Sequence, residues 1–229
     1  MTVKNLDNLR QKNHKGLYKR GLSLSKEKHS LLCDCLEHIC YAVKDINALL
    51  EISQQQIVNC KYPQNVKFIC IIVYVSWIQE NIKIINTCLE EYATEGFSFD
   101  LKEIKDYMRA LRSFTVAHPF STDRHEEYGF DGTLRCADIR LPNEYYFPIL
   151  GREDKFFLSK DSKLVPWQNQ KVDYWLFVYN ENKYKNKFKQ YIGIDIDDII
   201  SVANIYIDYI YCLDKHLSKI KVKNESDKL

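Results

Sequence analysis

Glycine and proline are scarce in this chain, with seven and five among 229 residues. Because these residues form turns and end elements, their scarcity argues against a sandwich of many short strands and favours long elements. Long hydrophobic runs are also missing: the most apolar one, Phe68–Ile78, has eleven residues and is too short to cross a bilayer. The first 28 residues contain no apolar stretch that could form the core of a signal peptide. We therefore expect a cytoplasmic protein.

Several signature motifs of enzymes are absent from the sequence. It contains no GxGxxG or GxxxxGKS/T phosphate-binding loop and no GxSxG nucleophile elbow. These absences argue against nucleotide-dependent dehydrogenases, NTPases and α/β-hydrolases. The eight cysteines include no CxxC pair and lie mostly in apolar patterns, so we interpret them as reduced, buried side chains. We expect no cofactor and no bound metal.

The composition is that of an ordinary folded protein, with 45% hydrophobic and 28% charged residues. Apolar residues recur at three- and four-residue steps in four segments, which predicts helices over residues 26–56, 64–93, 100–117 and 195–221. In the second segment, the β-branched run Ile69–Val75 also fits a buried strand. Its continuation into a helical period favours a buried helix.

Residues 119–192 differ in composition from the four helical segments and hold four of the five prolines. Short extended segments are predicted at Tyr145–Ile149, Lys155–Leu158 and Val172–Tyr179. Together the patterns predict a mainly α protein, formed by one domain over residues 1–229 with an up-and-down bundle of four to five helices. A small α+β or loop insertion at 119–192 precedes the last long helix.

Basic residues concentrate in two places. The first 28 residues hold eight lysines and arginines against two acidic residues. Residues 1–25 therefore form a basic arm that either attracts a phosphate backbone or solubilises a frayed terminus. Alternating lysines also occur at Lys183, Lys185, Lys187 and Lys189. As a strand, this segment would present lysines on one side to bind RNA, but an exposed edge strand or a solvated loop explains the same pattern.

Acidic residues also cluster twice. Asp195, Asp197 and Asp198 fall in the first turn of the last predicted helix, where they suit the positive end of the helix dipole better than a metal ion. A second group lies between the third and fourth helices, at Asp123, His125, Glu126 and Glu127. It could bind a divalent cation, although neighbouring polar residues of this kind are more typical of a solvated loop.

One arginine and one histidine carry the strongest functional signal. The segment Leu111–Pro119 reads Leu-Arg-Ser-Phe-Thr-Val-Ala-His-Pro. Pro119 disfavours helical geometry at His118, so the third helix should end near Ala117. A histidine can move a proton near neutral pH, and an arginine can hold a phosphate through two parallel hydrogen bonds. The pair is sufficient for metal-free chemistry on a phosphodiester, although a surface arginine and a histidine favoured by the helix dipole also explain it.

This segment resembles the HEPN superfamily, the higher eukaryote and prokaryote nucleotide-binding domains. That family is marked by an arginine and a histidine separated by four to six residues, often followed by proline, within a bundle of four or five helices. Arg112, His118 and Pro119 match the pattern. Ser113 departs from it, because the family commonly has Asn, Asp or His at that position.

The resemblance implies a metal-independent endoribonuclease that leaves a 2′,3′-cyclic phosphate. In such an enzyme His118 would transfer protons, Arg112 would hold the phosphate, and Ser113 would orient either residue. Active members usually form homodimers that bring two Arg–His pairs together, and toxin–antitoxin and antiviral roles are typical of bacterial members. A cognate regulatory protein would be a natural partner in such a role.

The last predicted helix carries more apolar residues than one core seam requires. Beside its main stripe lie Val202, Ile205, Tyr206 and Tyr209, which predicts a homodimer with a helical interface. The alternative to the nuclease is a non-catalytic helical dimer, either a nucleic-acid-binding protein or an antitoxin-like regulator.

Overall fold

The computed structural model describes residues 1–9, 24–52, 63–93, 97–117, 133–142, 155–181 and 187–226. Its helices are α1 (Lys26–Glu51), α2 (Pro63–Cys88), α3 (Glu90–Ala93), α4 (Lys102–Arg112) and α5 (Ile196–Ser226), with a π-helical segment at Ser113–Ala117. Its strands are β1 (Thr133–Arg140), β2 (Lys155–Leu158), β3 (Leu164–Pro166), β4 (Tyr174–Glu181) and β5 (Lys187–Ile194). The protein is mainly α, as predicted, with a small five-stranded sheet.

The chain divides into two compact units. The first consists of Met1–Glu51, Tyr74–Asp100 and Ile200–Leu229, and the second of Ile52–Val73 and Leu101–Ile199. Two of the four boundaries between them fall inside helices, one in α2 and one in α5. The sheet belongs to the second unit, and the predicted insertion at 119–192 contains all of it except the last two residues of β5.

The helices follow the predicted apolar patterns. In α1 the inward positions are buried at Leu32, Cys35, Leu36, Ile39, Val43 and Ile46. The ambiguous run Ile69–Val75 is helical, as its continuing period predicted, and Ile71, Ile72 and Val75 are fully buried. Burial on several sides explains why α2 is apolar nearly all round.

The cysteines are only partly as predicted. Cys35, Cys40 and Cys88 are buried thiols, but Cys212 is exposed. Burial, with the nearby Cys88 and Asp34, raises the pKa of Cys35 to about 11. This thiol is therefore uncharged and unreactive at neutral pH.

The start of the predicted basic arm is packed within the first unit. Val3, Leu6 and Leu9 are buried. The backbone N–H of Val3 donates to Asn47 Oδ1 at 2.8 Å, and Asn47 Nδ2 donates to the carbonyl of Val3 at 2.9 Å. Lys4 Nζ contacts Asp208 of α5 at 2.6 Å. The arm is thus anchored over its first nine residues, while residues 10–23 lie outside the described chain.

The apolar residues that predicted a dimer interface on α5 are mostly buried within the chain. Val202, Tyr206 and Tyr209 have 2%, 0% and 5% of their surface exposed, and Ile205 is half-buried. The inference from these residues was wrong, because a helix that is covered on more than one side needs a broader apolar face than a surface helix. The homodimer itself stays a prediction.

The sheet has the order β1-β4-β5-β2-β3. All neighbours pair antiparallel except β2 and β5, which are parallel. One face of β4 and β5 is buried core, including Leu176, Val178 and Ile192, and Tyr174 on that face stacks on Phe68 with ring centroids 4.3 Å apart. The sequence predicted β2 and most of β4, but it did not predict β1 or β3.

Helix α2 is long and apolar enough to cross a membrane over Gln64–Cys88, which the count of eleven residues at Phe68–Ile78 did not anticipate. This is weak evidence for a membrane-spanning helix, because core helices of soluble proteins share this length and composition. Half of its apolar window is buried inside the protein. Among the described helices, α2 is the one that is long and apolar enough to span a membrane. The structure is compatible with a soluble protein.

Candidate functional site

Arg112 is the last residue of α4 and lies at the border between core and solvent. The preceding turn is anchored in the core by Tyr107, Met108, Ala110 and Leu111, which are all buried. Arg112 itself is half-buried, as expected for a residue beside the inward stripe of its helix. The backbone that carries Arg112 is therefore held firmly.

The helix does not continue as an α-helix to Ala117, contrary to the sequence prediction. It changes at Ser113 into the π-helical segment Ser113–Ala117. Such turns are rare and recur at functional sites, because the wider turn rotates the following side chains relative to an α-helix. This one occupies the whole interval between Arg112 and the position of His118.

The π-helical segment is well anchored in the second unit. Ser113, Phe114 and Thr115 are buried, and Thr115 Oγ1 donates a hydrogen bond to the carbonyl of Leu111 at 2.7 Å. The segment packs against β1. Because Ser113 is only 9% exposed, it is suited to positioning its neighbours and poorly placed to touch a large substrate.

The other half of the predicted pair lies outside the described residues. His118 falls there, and so do Asp123, His125, Glu126 and Glu127. The structure thus places Arg112 and Ser113 side by side at the junction of the α- and π-helical segments. The Arg–His pair stays a prediction.

The predicted lysine segment is only partly described. Lys183 and Lys185 lie outside the described residues, whereas Lys187 and Lys189 belong to β5. The solvated-loop interpretation was wrong for this part, because both positions belong to a strand and pair with β4; the pairing of β5 with β2 extends only over Tyr191–Gly193. In the register, positions 187 and 189 oppose Glu181 and Tyr179, on the same side of the strand as Tyr191.

That side of the sheet carries a cluster of aromatic rings that the sequence did not predict. Trp175, Phe177 and Tyr191 are buried there, with Trp167 and Val172 packed against them. Two cations lie over its rings. The guanidinium of Arg140 is 4.9 Å from the centroid of Phe177, and Lys155 Nζ is 5.4 Å from that of Trp167.

The aspartates at the start of α5 form a structural cluster around one lysine. Lys171 Nζ contacts Asp197 at 2.7 Å, Asp173 at 3.1 Å and Asp195 at 3.2 Å. Asp173 also accepts the backbone N–H of Ile196 at 3.0 Å, so it caps α5 from another part of the chain. Their charges therefore serve the helix start, as the sequence interpretation of Asp195 and Asp197 proposed.

The cluster shifts the pKa values of its members in opposite directions. Burial lowers the pKa of Lys171, but its contacts with the three aspartates outweigh burial and raise it above the ordinary value. The contact with Lys171 lowers the pKa of Asp197, whereas burial raises that of Asp195. Asp197 therefore stabilises the fold at pH values above the ordinary pKa of aspartate, and this stabilisation is lost as the pH falls. Protonation of Asp195, in contrast, stabilises the fold, because its charged form is disfavoured by burial.

We expect Lys171→Met to lower the free energy of unfolding by about 1 kcal/mol at neutral pH, and the melting temperature by about 3 °C. The loss should shrink at about pH 2, well below the ordinary pKa of aspartate, because Asp197 then loses the charge that attracts Lys171. Thermal unfolding of both proteins at the two pH values measures this difference. Lys163→Met is the matched control, because Lys163 is 75% exposed and lies 3.8 Å from one carboxylate. An equal loss at both pH values would contradict the interpretation.

Within the described residues, no group of three or more His, Cys, Asp or Glu side chains converges to hold a metal ion. The chain was also compared with known proteins. No family model, no curated protein and no solved structure matches it.

Proposed function

We propose that this protein is a metal-independent endoribonuclease of the HEPN type, with Arg112 and His118 as its catalytic residues and Ser113 in support. The observation that carries the proposal is the anchoring of Arg112. It ends α4 directly after the buried Leu111 and directly before the buried Ser113 and Phe114 of the π-helical segment. A half-buried arginine on such a rigid backbone suits the recognition of a phosphate, because little of its freedom is lost on binding.

In the proposed reaction the substrate supplies its own nucleophile. The ribose 2′-oxygen attacks the adjacent phosphorus and gives its proton to one histidine as general base. The bond from phosphorus to the 5′-oxygen breaks, and the leaving oxygen receives a proton from a second histidine. The products are a 2′,3′-cyclic phosphate and a 5′-hydroxyl. Arg112 stabilises the charge that develops on the phosphoryl oxygens.

Each chain supplies one His118, and the reaction uses two. The proposal therefore includes a homodimer with the Arg112–His118 segments near its two-fold axis. In a dimer of this kind, one His118 acts as base and the other as acid. We place the enzyme in the cytoplasm, where a toxin or antiviral nuclease meets its RNA. A cognate regulatory protein would hold such an activity in check.

The proposal is tested with purified wild-type protein and a broad panel of RNAs in EDTA. Cleavage should persist without divalent metal, leave cyclic phosphate ends, and stop when the 2′-hydroxyl at the cleaved position is replaced by hydrogen. Light scattering at the assay concentration should report a dimer. Folded, dimeric protein that cleaves none of these RNAs would remove the nuclease proposal.

A second function is a non-catalytic nucleic-acid-binding protein, with a regulatory or antitoxin-like role. It is favoured by the sheet, which the HEPN resemblance does not imply and which carries Lys187 and Lys189 in its β5 strand. On this alternative Lys183 and Lys185 would extend the same basic strip. RNA binding without any cleavage in the same assays would support it.

A further inference from the structure

One face of α2 exposes large apolar side chains. Trp77 and Ile84 have 54% and 39% of their surface exposed, although burial of an apolar side chain is what normally stabilises a fold. Both residues belong to the part of α2 that lies in the first unit. Tryptophan is enriched where one protein contacts another, because it covers a large apolar area when it is buried.

The exposed residues have the spacing of a contact between two helices. Tyr74, Trp77, Asn81 and Ile84 follow one another at steps of three, four and three residues. Trp77 and Ile84 are thus about 10 Å apart along the helix and about 20° apart around it. The same spacing marks the seam of paired helices, in which a single asparagine can set the register. Singly scattered exposed residues would show no such stripe.

Contacts within the chain order the side chains of this stripe. The ring of Tyr74 meets that of Trp77 edge-on, with centroids 5.4 Å apart. Asn81 Nδ2 donates to the carbonyl of Trp77 at 2.8 Å. Beside the stripe, Lys83 Nζ donates to Glu80 Oε1 at 2.7 Å, and both side chains are about half exposed. Less freedom is lost on binding by a surface that is already ordered.

The stripe is complementary to itself in one orientation. If two copies of α2 meet face to face and antiparallel, with the two-fold axis between Glu80 and Asn81, residues equally far from the axis meet. Trp77 of each copy then packs on Ile84 of the other, and the two Asn81 amides meet at the axis. On one flank, Glu80 of each copy comes within one helical turn of Lys83 of the other. A parallel pair would bring no opposite charges of this stripe together.

We propose that two copies of this chain bind each other through α2 in this antiparallel arrangement. Each charge keeps its partner in its own chain and gains a second one across the axis, so the contact needs no unpaired group. Because one helix from each copy makes the contact, the interface is at the small end of specific ones, and the dimer should dissociate at roughly micromolar concentration. The proposal does not rest on the nuclease function.

The first test measures the dissociation constant of the dimer by sedimentation equilibrium at low salt. Trp77→Ser and Ile84→Ser should each raise it by about tenfold or more, as expected of central apolar contacts. Leu31→Ser is the matched control, because Leu31 lies on α1 and is 43% exposed. It should change the dissociation constant by less than about twofold. Equal losses in Ile84→Ser and Leu31→Ser would overturn the proposal.

A pair of charge variants tests the antiparallel orientation. Glu80→Lys and Lys83→Glu each place like charges across the axis, so either protein alone should dimerise about tenfold more weakly than the wild type. A one-to-one mixture should form a heterodimer of nearly wild-type affinity, because every pair across the axis then joins opposite charges. The altered pair within each chain cannot produce this recovery. Asp106→Lys and Arg109→Glu reverse another exposed pair three residues apart on a helix, and mixing them should change nothing.

The outcomes separate this proposal from the nuclease. An assembly that depends on Trp77 and recovers in the mixture, in a protein that cleaves no RNA, supports the α2 contact and removes the nuclease. An assembly that Trp77→Ser leaves unchanged, in a protein that cleaves RNA, overturns the α2 contact and leaves the nuclease. A wild type that stays monomeric at high micromolar concentration, or a mixture no tighter than its separate variants, overturns the α2 contact as well.

Discussion

His118→Ala is expected to lower the rate of RNA cleavage by about 10²–10⁴-fold, because it removes the group that transfers the proton. Arg112→Ala should cause a loss of similar size, since the negative charge of the transition state then lacks its partner. Arg112→Lys should also be poor, because an ammonium group cannot form two parallel hydrogen bonds to a phosphate. Initial rates on one RNA at saturating concentration, in EDTA, measure all three.

The control for these variants is Arg109→Ala. Arg109 lies on the same helix as Arg112, is 61% exposed and pairs with Asp106 at 3.5 Å, so its loss changes the charge of the helix by the same amount. Its rate should stay within about twofold of the wild type. Near-UV circular dichroism should show that every variant keeps its packing. Comparable activity in the wild type and His118→Ala would exclude His118 from the chemistry.

Phe114→Ala should be the most damaging core substitution near the site. Phe114 lies in the π-helical segment and has no exposed surface, so its truncation leaves a cavity in the second unit. We expect a loss of about 3–5 kcal/mol in the free energy of unfolding, and a melting temperature lower by roughly 10 °C. Urea unfolding followed by tryptophan fluorescence provides the measurement.

The conservative variant Phe114→Leu separates packing from a special need for the aromatic ring. It keeps most of the buried volume, so it should cost no more than about 1.5 kcal/mol. If Phe114→Ala proves as stable as the wild type, the π-helical segment is not anchored in the core as described. The backbone of Arg112 would then not be held rigidly by this segment.

The sequence predicted the long helices well because their apolar faces repeat with a local period. The stripe from Leu32 to Ile46 is one example, and each of its predicted positions is buried. The local pattern could not show what the other sides of α5 contact. The apolar residues Tyr206 and Tyr209 were therefore interpreted as part of a dimer interface, whereas they are buried within the chain. The change from α- to π-helix at Ser113 also left no local sign, because it depends on how Phe114 and Thr115 pack.

The candidate site was predictable to a similar extent. The half-buried position of Arg112 follows from the stripe that contains Leu111, but the end of α4 at Arg112 was not predicted, because the helix was expected to run to Ala117. The contact of Arg140 with Phe177 could not be found in this way, because Phe177 becomes a neighbour only when β1 pairs with β4. Strand pairs of this kind join distant segments without a periodic signature.

An open sheet ends in two outer strands, and unpaired backbone groups on such strands are a template for aggregation. In this sheet the outer strands are β1 and β3. Strand β3 has three residues and ends in Pro166, which cannot donate a backbone hydrogen bond. Strand β1 has an irregularity in its pairing between Cys136 and Asp138, which twists the strand away from a flat edge. Both edges are thereby poor templates for fibril growth.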